Sequence, residues 1–104
     1  MDSRSGRDVK LWSLGSGSSG NAILIECDGS RLLIDCGFGA RTLSGRLATI
    51  GVDPASIDGC VLTHEHTDHV KGAAAASKRW GWALYATPGT AASKELTGAK
   101  VQTF

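Results

Sequence analysis

Apolar and polar residues alternate through Val9-Lys10-Leu11-Trp12-Ser13-Leu14, the period-2 pattern of a half-buried strand ending at Gly15. Ala22-Ile23-Leu24-Ile25-Glu26-Cys27 is an apolar, β-branched run. The turn pair Asp28-Gly29 and a second run, Arg31-Leu32-Leu33-Ile34-Asp35, follow it, and together they predict a β-hairpin. The period then lengthens. Leu43, Leu47 and Ile50 stand at i, i+4 and i+7 with Gly51 beyond, so residues 40 to 50 read as an amphipathic helix; Gly45 weakens it by about 1 kcal/mol relative to alanine. Asp53-Pro54 pairs an N-cap residue with a proline at the first helical position and predicts a short helical turn to Ile57. Cys60-Val61-Leu62-Thr63, preceded by Asp58-Gly59, reads as a short buried strand. Residues 70 to 80 carry four consecutive alanines, with Lys78 and Arg79 near the end and Gly81 after them. That is a helix whose cations face its negative end and whose small residues suit close packing on a sheet. Residues 82 to 87 alternate again as a strand, Pro88-Gly89 marks a turn, residues 91 to 96 read as a short helix, and residues 100 to 104 open another strand. Strands first and helix-strand units later, without an internal repeat, predict half of a layered α+β domain.

Residues 1 to 8 are polar and read as a flexible tail, leaving 9 to 104 as the folded part. The apolar runs 23 to 27, 32 to 34 and 61 to 62 read as buried on both faces or against a second layer. An isolated chain is therefore expected to fold poorly or to self-associate through an uncovered sheet.

Gly15-Ser16-Gly17-Ser18-Ser19-Gly20 matches GxGxxG, and Asp35 follows Gly15 by twenty residues. A dinucleotide site would need a helix after the glycines, whereas the residues that follow have the pattern of a hairpin. The glycines therefore read as a tight strand-to-strand loop.

Composition narrows the class without choosing a substrate. The chain has 104 residues, is 41% hydrophobic and 20% charged, and carries a net charge of +1, which is ordinary for one globular domain at most. Such a charge gives no broad electrostatic footprint for nucleic acid, so that partner would need a local patch. Cys27, Cys36 and Cys60 are odd in number and lack CxxC spacing, which argues for buried thiols rather than a disulfide framework or zinc ribbon. Neither a secretory h-region nor an apolar run of membrane-spanning length is evident, and a reducing cytoplasm is the expected compartment. Trp12, Trp80 and Trp82 read as packing residues rather than a base-stacking platform.

All three histidines fall within Thr63-His64-Glu65-His66-Thr67-Asp68-His69. If the chain stays extended through His66, then His64 and His66 project to one side and can meet one cation. Asp68 and His69 add a carboxylate and a third imidazole where the chain turns into the next helix. Nitrogen and oxygen donors without thiolate suit zinc, with manganese or iron as the other choices. The zincin pattern is excluded, because HExxH places its histidines four apart. Asp35, at the end of an apolar strand, needs a partner for its charge.

The motif His64-x-His66-x-Asp68-His69 resembles the HxHxDH signature of the metallo-β-lactamase-fold hydrolases. With residues 15 to 22 before it and Leu33-Ile34-Asp35-Cys36-Gly37 between, the chain is similar to the YycJ/WalJ-like branch over residues 9 to 90. The resemblance implies the N-terminal half of a four-layer αββα sandwich belonging to a longer protein. It implies a metal-dependent hydrolase, a phosphodiesterase or exonuclease acting on DNA or RNA, that uses a metal-bound hydroxide. Two divalent ions would be held, one by His64 and His66 and the other by Asp68 and His69. Asp68 would also orient the attacking water, and Asp35 would orient a metal-binding histidine from behind. Ser18, Ser19 and Asn21 would lie near the metal cleft and offer hydrogen bonds to substrate; turn chemistry alone explains them equally well. The family's remaining ligands have no counterpart here, so the isolated chain is expected to be inactive and to depend on the C-terminal half of the same domain. Two alternatives stand beside this reading: a thioester or lactone hydrolase of the same fold, and a non-catalytic metal-binding module.

Overall fold

The computed structural model describes residues 9–17, 20–63, 70–93, 96 and 98–104. Its strands are β1 (Val9–Gly15), β2 (Ala22–Cys27), β3 (Ser30–Ile34), β4 (Gly59–Leu62), β5 (Ala83–Ala86) and β6 (Val101–Thr103). They form one six-stranded sheet in sequence order. The first three strands are an antiparallel meander, and β3, β4, β5 and β6 run parallel. Parallel neighbours need crossovers. Helix α1 (Ala40–Ala48) lies in the crossover to β4, α2 (Ala73–Trp80) in the one to β5, and the short α3 (Pro88–Ala91) in the one to β6.

The register explains where the core sits. Trp12, Leu24, Leu33, Cys60, Leu84 and Val101 stand opposite one another across all six strands, and therefore share one face. The four central members are fully buried, together with Leu43 and Leu47 of α1 and Ala73 and Ala76 of α2. The other face carries Leu11, Ile23, Ile25, Leu32, Ile34, Val61 and Tyr85. There Leu11 is 64% exposed, Ile23 41% and Leu32 37%. Among the described residues one face of the sheet is covered by the helices and the other, apolar face is open, the uncovered sheet expected of this chain by itself.

Local structure follows the residue pattern in most places. Asp53 caps the 3-10 turn Pro54–Ser56 by accepting from the Ala55 N–H at 3.0 Å. Arg31 ties that turn to the hairpin through Nη1, which donates to Ser56 Oγ at 2.7 Å. Helix α2 stops at Gly81, in the left-handed conformation at φ 75. Trp82 is buried and donates its indole N–H to the Pro54 carbonyl at 2.8 Å. Trp80 stacks on it at 5.4 Å, so both serve packing. The Pro88-Gly89 turn is itself helical: α3 spans Pro88–Ala91, opened by Pro88 at N1, with the Thr87 hydroxyl accepting from the Thr90 N–H. The helix anticipated at 91 to 96 falls partly outside the described residues; at its end Leu96 is in a helical turn, its N–H donating to the Ser93 carbonyl at 3.0 Å.

Candidate metal centre and the segment that brackets it

His64, His66, Asp68 and His69 lie outside the described residues, as do Ser18 and Ser19. The structure instead describes what holds the two ends of the motif, and both ends meet the same four residues, Asp35-Cys36-Gly37-Phe38.

Upstream, β3 and β4 run parallel until the Asp35 N–H donates to the Val61 carbonyl at 2.8 Å. Asp35 then takes a positive φ of 65, a conformation that aspartate tolerates better than most residues. The residue is buried, at 6% exposure. Oδ1 accepts from the Thr63 N–H at 2.8 Å, and the Thr63 hydroxyl lies 2.9 Å from Oδ1 and 2.7 Å from Oδ2. Asp35 therefore has the partner its burial demanded, and that partner is the residue immediately before His64.

Downstream, the Gly72 N–H donates to the Cys36 carbonyl at 3.0 Å. A Cβ on Gly72 would collide with the Phe38 carbonyl oxygen. Because that obstacle is backbone, only glycine lets the chain leaving the motif seat itself against this segment.

The glycine loop meets the segment from above. The Phe38 ring fills the space that a Cβ on Gly15 or Gly20 would need. Both ends of the Asn21 amide bind Gly17: Nδ2 donates to its carbonyl at 2.8 Å and Oδ1 accepts from its N–H at 3.1 Å. The Gly37 N–H donates to the Asn21 carbonyl at 3.0 Å. Between loop and segment lies a hollow of about 110 Å³ lined by Ser13, Ser16, Asn21 and Asp35 with Gly15, Ala22, Ile23 and Ile34. It opens where β3 ends, the carboxyl end of a parallel strand, where α/β sheets bind ligands.

Burial pushes the Cys36 thiol up to about 12 and the Cys60 thiol well above its ordinary value. Both are held as neutral, fully buried thiols of the core. Among the described residues no group of three or more His, Cys, Asp or Glu side chains could hold a metal. The only clustered donors in the sequence are those of the motif, and their imidazole and carboxylate chemistry fits divalent zinc, manganese or iron. Thr63, Phe38, Arg46 and Gly72 were missed by sequence reasoning. Thr63 could have been found as a hydroxyl at the exit of a buried strand. The others depend on contacts between distant parts of the chain.

A family model described as the metallo-beta-lactamase superfamily matches residues 15–102. The chain belongs to that superfamily. Exodeoxyribonuclease WalJ of Streptococcus pneumoniae serotype 2 (strain D39 / NCTC 7466) is 38% identical over 77 residues, covering 74% of this chain and 29% of that protein. Exodeoxyribonuclease YycJ of Bacillus anthracis is 30% identical over the same number of residues with the same coverage. Together they assign the superfamily member to the YycJ/WalJ-like branch. Among solved structures, the metallo-β-lactamase MIM-2 aligns with a TM-score of 0.63 at 36% identity, over 71% of this chain and 29% of that one, in keeping with the α+β fold. The chain spans about 29% of the length of the curated relatives it matches.

Proposed function

We propose that this chain is the motif-bearing N-terminal part of a metal-dependent phosphodiesterase of the nuclease type, acting on DNA or RNA. The observation that carries the reading is the bracket around the motif: one buried segment, 35 to 38, fastens both Thr63 and Gly72. A loop of incidental histidines has no need of such anchoring. The relatives named as exodeoxyribonucleases support the substrate class. In this reading His64 and His66 hold one cation, Asp68 and His69 the other, and ligands from the rest of the protein complete both sites. Two divalent ions, zinc in the first instance, supply the charge that neutralises a phosphodiester and lowers the pKa of water toward neutrality.

The chain's own residues do the remaining work. Asp68 orients the attacking water. Asp35, already fixing the backbone at Thr63, orients a histidine ligand, the second role that carboxylates commonly play around metals. Asn21 borders the hollow and ties the loop together, and Ser18, Ser19 and Asn21 are the loop residues that donate to substrate oxygens. Among the described residues no helix is long and apolar enough to cross a membrane, and the three cysteines are free; cytoplasm is the compartment we assign.

The test uses the complete gene product with bis(p-nitrophenyl) phosphate and end-labelled single-stranded DNA. Metal-dependent hydrolysis of both, abolished by Asp68→Ala and retained by Glu65→Ala, is expected. A thioester or lactone cleaved while both phosphodiesters are left intact would contradict the reading.

A further inference from the structure

We infer that Phe38 and Arg46 are positioning residues that hold the glycine loop, in its described residues 15–17 and 20–21, at a set distance from the segment that anchors the motif. The activity arm of this inference rests on the function proposed above. The contact side of it stands on three observations.

First, both ends of the loop straddle one ring: a Cβ at Gly20 would lie 2.5 Å from the ring of Phe38, and one at Gly15 would collide with it as well. Second, the Arg46 guanidinium lies over the same ring at 4.5 Å from its centroid, and Nη1 donates to the Leu14 carbonyl at 2.6 Å. That carbonyl belongs to the residue just before the loop. Arg46 thereby clamps ring and strand end in a single geometry, which the planar fork of arginine suits. Third, the loop is closed on itself by the Asn21 amide at Gly17, so displacing its base displaces the hollow beside Asp35 as a unit.

Phe38 belongs to the core, but Arg46 does not. Leu43 and Leu47 form the buried stripe of α1, while Arg46 stands on its exposed side. Removing the guanidinium should therefore loosen the loop without emptying a packed site. Misplacing a substrate-bordering loop by a fraction of an ångström to an ångström acts on binding and alignment.

In the complete gene product, Arg46→Ala is expected to speed amide exchange at residues 15–17, 20 and 21 about tenfold. It is also expected to raise KM for bis(p-nitrophenyl) phosphate about tenfold, with kcat within about twofold and bound metal unchanged. Arg46→Lys keeps the charge without the planar fork and should recover about half of the exchange protection. Phe38→Leu fills much of the same volume without offering a face to the guanidinium, and should reproduce the loss of protection. Unaltered exchange and KM in Arg46→Ala would overturn the inference. So would a joint fall of kcat, bound metal and melting temperature, which marks general structural support. If the unmodified protein hydrolyses no phosphodiester, the proposed function fails, and the exchange measurement still decides whether the pair positions the loop.

Discussion

The two ends of the motif are held by opposite means. Upstream, a buried carboxylate grips Thr63 through its backbone N–H and its hydroxyl; downstream, no side chain takes part, and a backbone hydrogen bond from Gly72 to the Cys36 carbonyl forms only because the bare Cα fits against the Phe38 carbonyl. An electrostatic grip can be weakened in steps, because each hydrogen bond contributes separately. A steric fit against backbone has no intermediate setting, since interiors deform little before they rearrange. The same four-residue segment therefore offers one adjustable anchor and one all-or-none anchor.

The largest effect expected from this contrast is at the steric end. Gly72→Ala must push aside the Phe38 carbonyl and should destabilise the complete protein by about 3 kcal/mol or more, measured by urea unfolding; a change below about 1 kcal/mol would show that the exit has room to move. Next comes Asp35→Asn, which keeps the shape and removes the charge. It should lower metal affinity or activity about 10- to 100-fold with the fold retained, read by metal titration beside circular dichroism. Unaltered affinity would leave Asp35 as an anchor of Thr63 alone. Thr63→Val removes only the hydroxyl and leaves the backbone N–H on Asp35, so about 1 kcal/mol of stability should be lost, with a smaller change in metal affinity than Asp35→Asn gives.

The smallest effect concerns the thiol between the two anchors. The folded protein holds the Cys36 proton up to about 12, against an ordinary value of 9.0. Above pH 9 the unfolded chain gives up that proton first. Stability should therefore be full below about pH 9 and decline as pH climbs toward 12, with Cys60 adding in the same direction. Urea midpoints measured across that range test the sign, and alkylation at pH 8 should label half-buried Cys27 well before Cys36 or Cys60.

Local chemistry made much of the fold legible. The hairpin of β2 and β3, the α1 stripe at Leu43 and Leu47, the Asp53 cap and the Gly81 stop all depend on residues within a few positions of one another. The Pro88-Gly89 turn shows the limit: proline suits a plain turn and the first turn of a helix equally well, and the Thr87 hydroxyl that caps the Thr90 N–H decides for the helix. The apolar runs marked both faces of the strands as greasy, but which face the helices cover, leaving Ile23 and Leu32 exposed, depends on the crossovers. At the candidate site, the need of Asp35 for a partner could be argued from its charge, but Thr63 stands 28 residues away. Arg46, whose carbonyl contact spans 32 residues, gave no signal at all, because nothing about a helix-surface arginine announces which ring it will cover. The spacing of His64, His66, Asp68 and His69 was the clearest chemical signal in the sequence, although its geometry falls outside the described residues.

The central claim is that the bracketed motif is a metal centre, and elemental analysis of the complete gene product, reconstituted with zinc and freed of excess by gel filtration, tests it most directly. The account predicts about two ions per chain in the unmodified protein and a clear loss of bound metal when His64 and His66 are both replaced by alanine in a variant that still unfolds cooperatively. Equal metal content in the two proteins, or none in either, would contradict it.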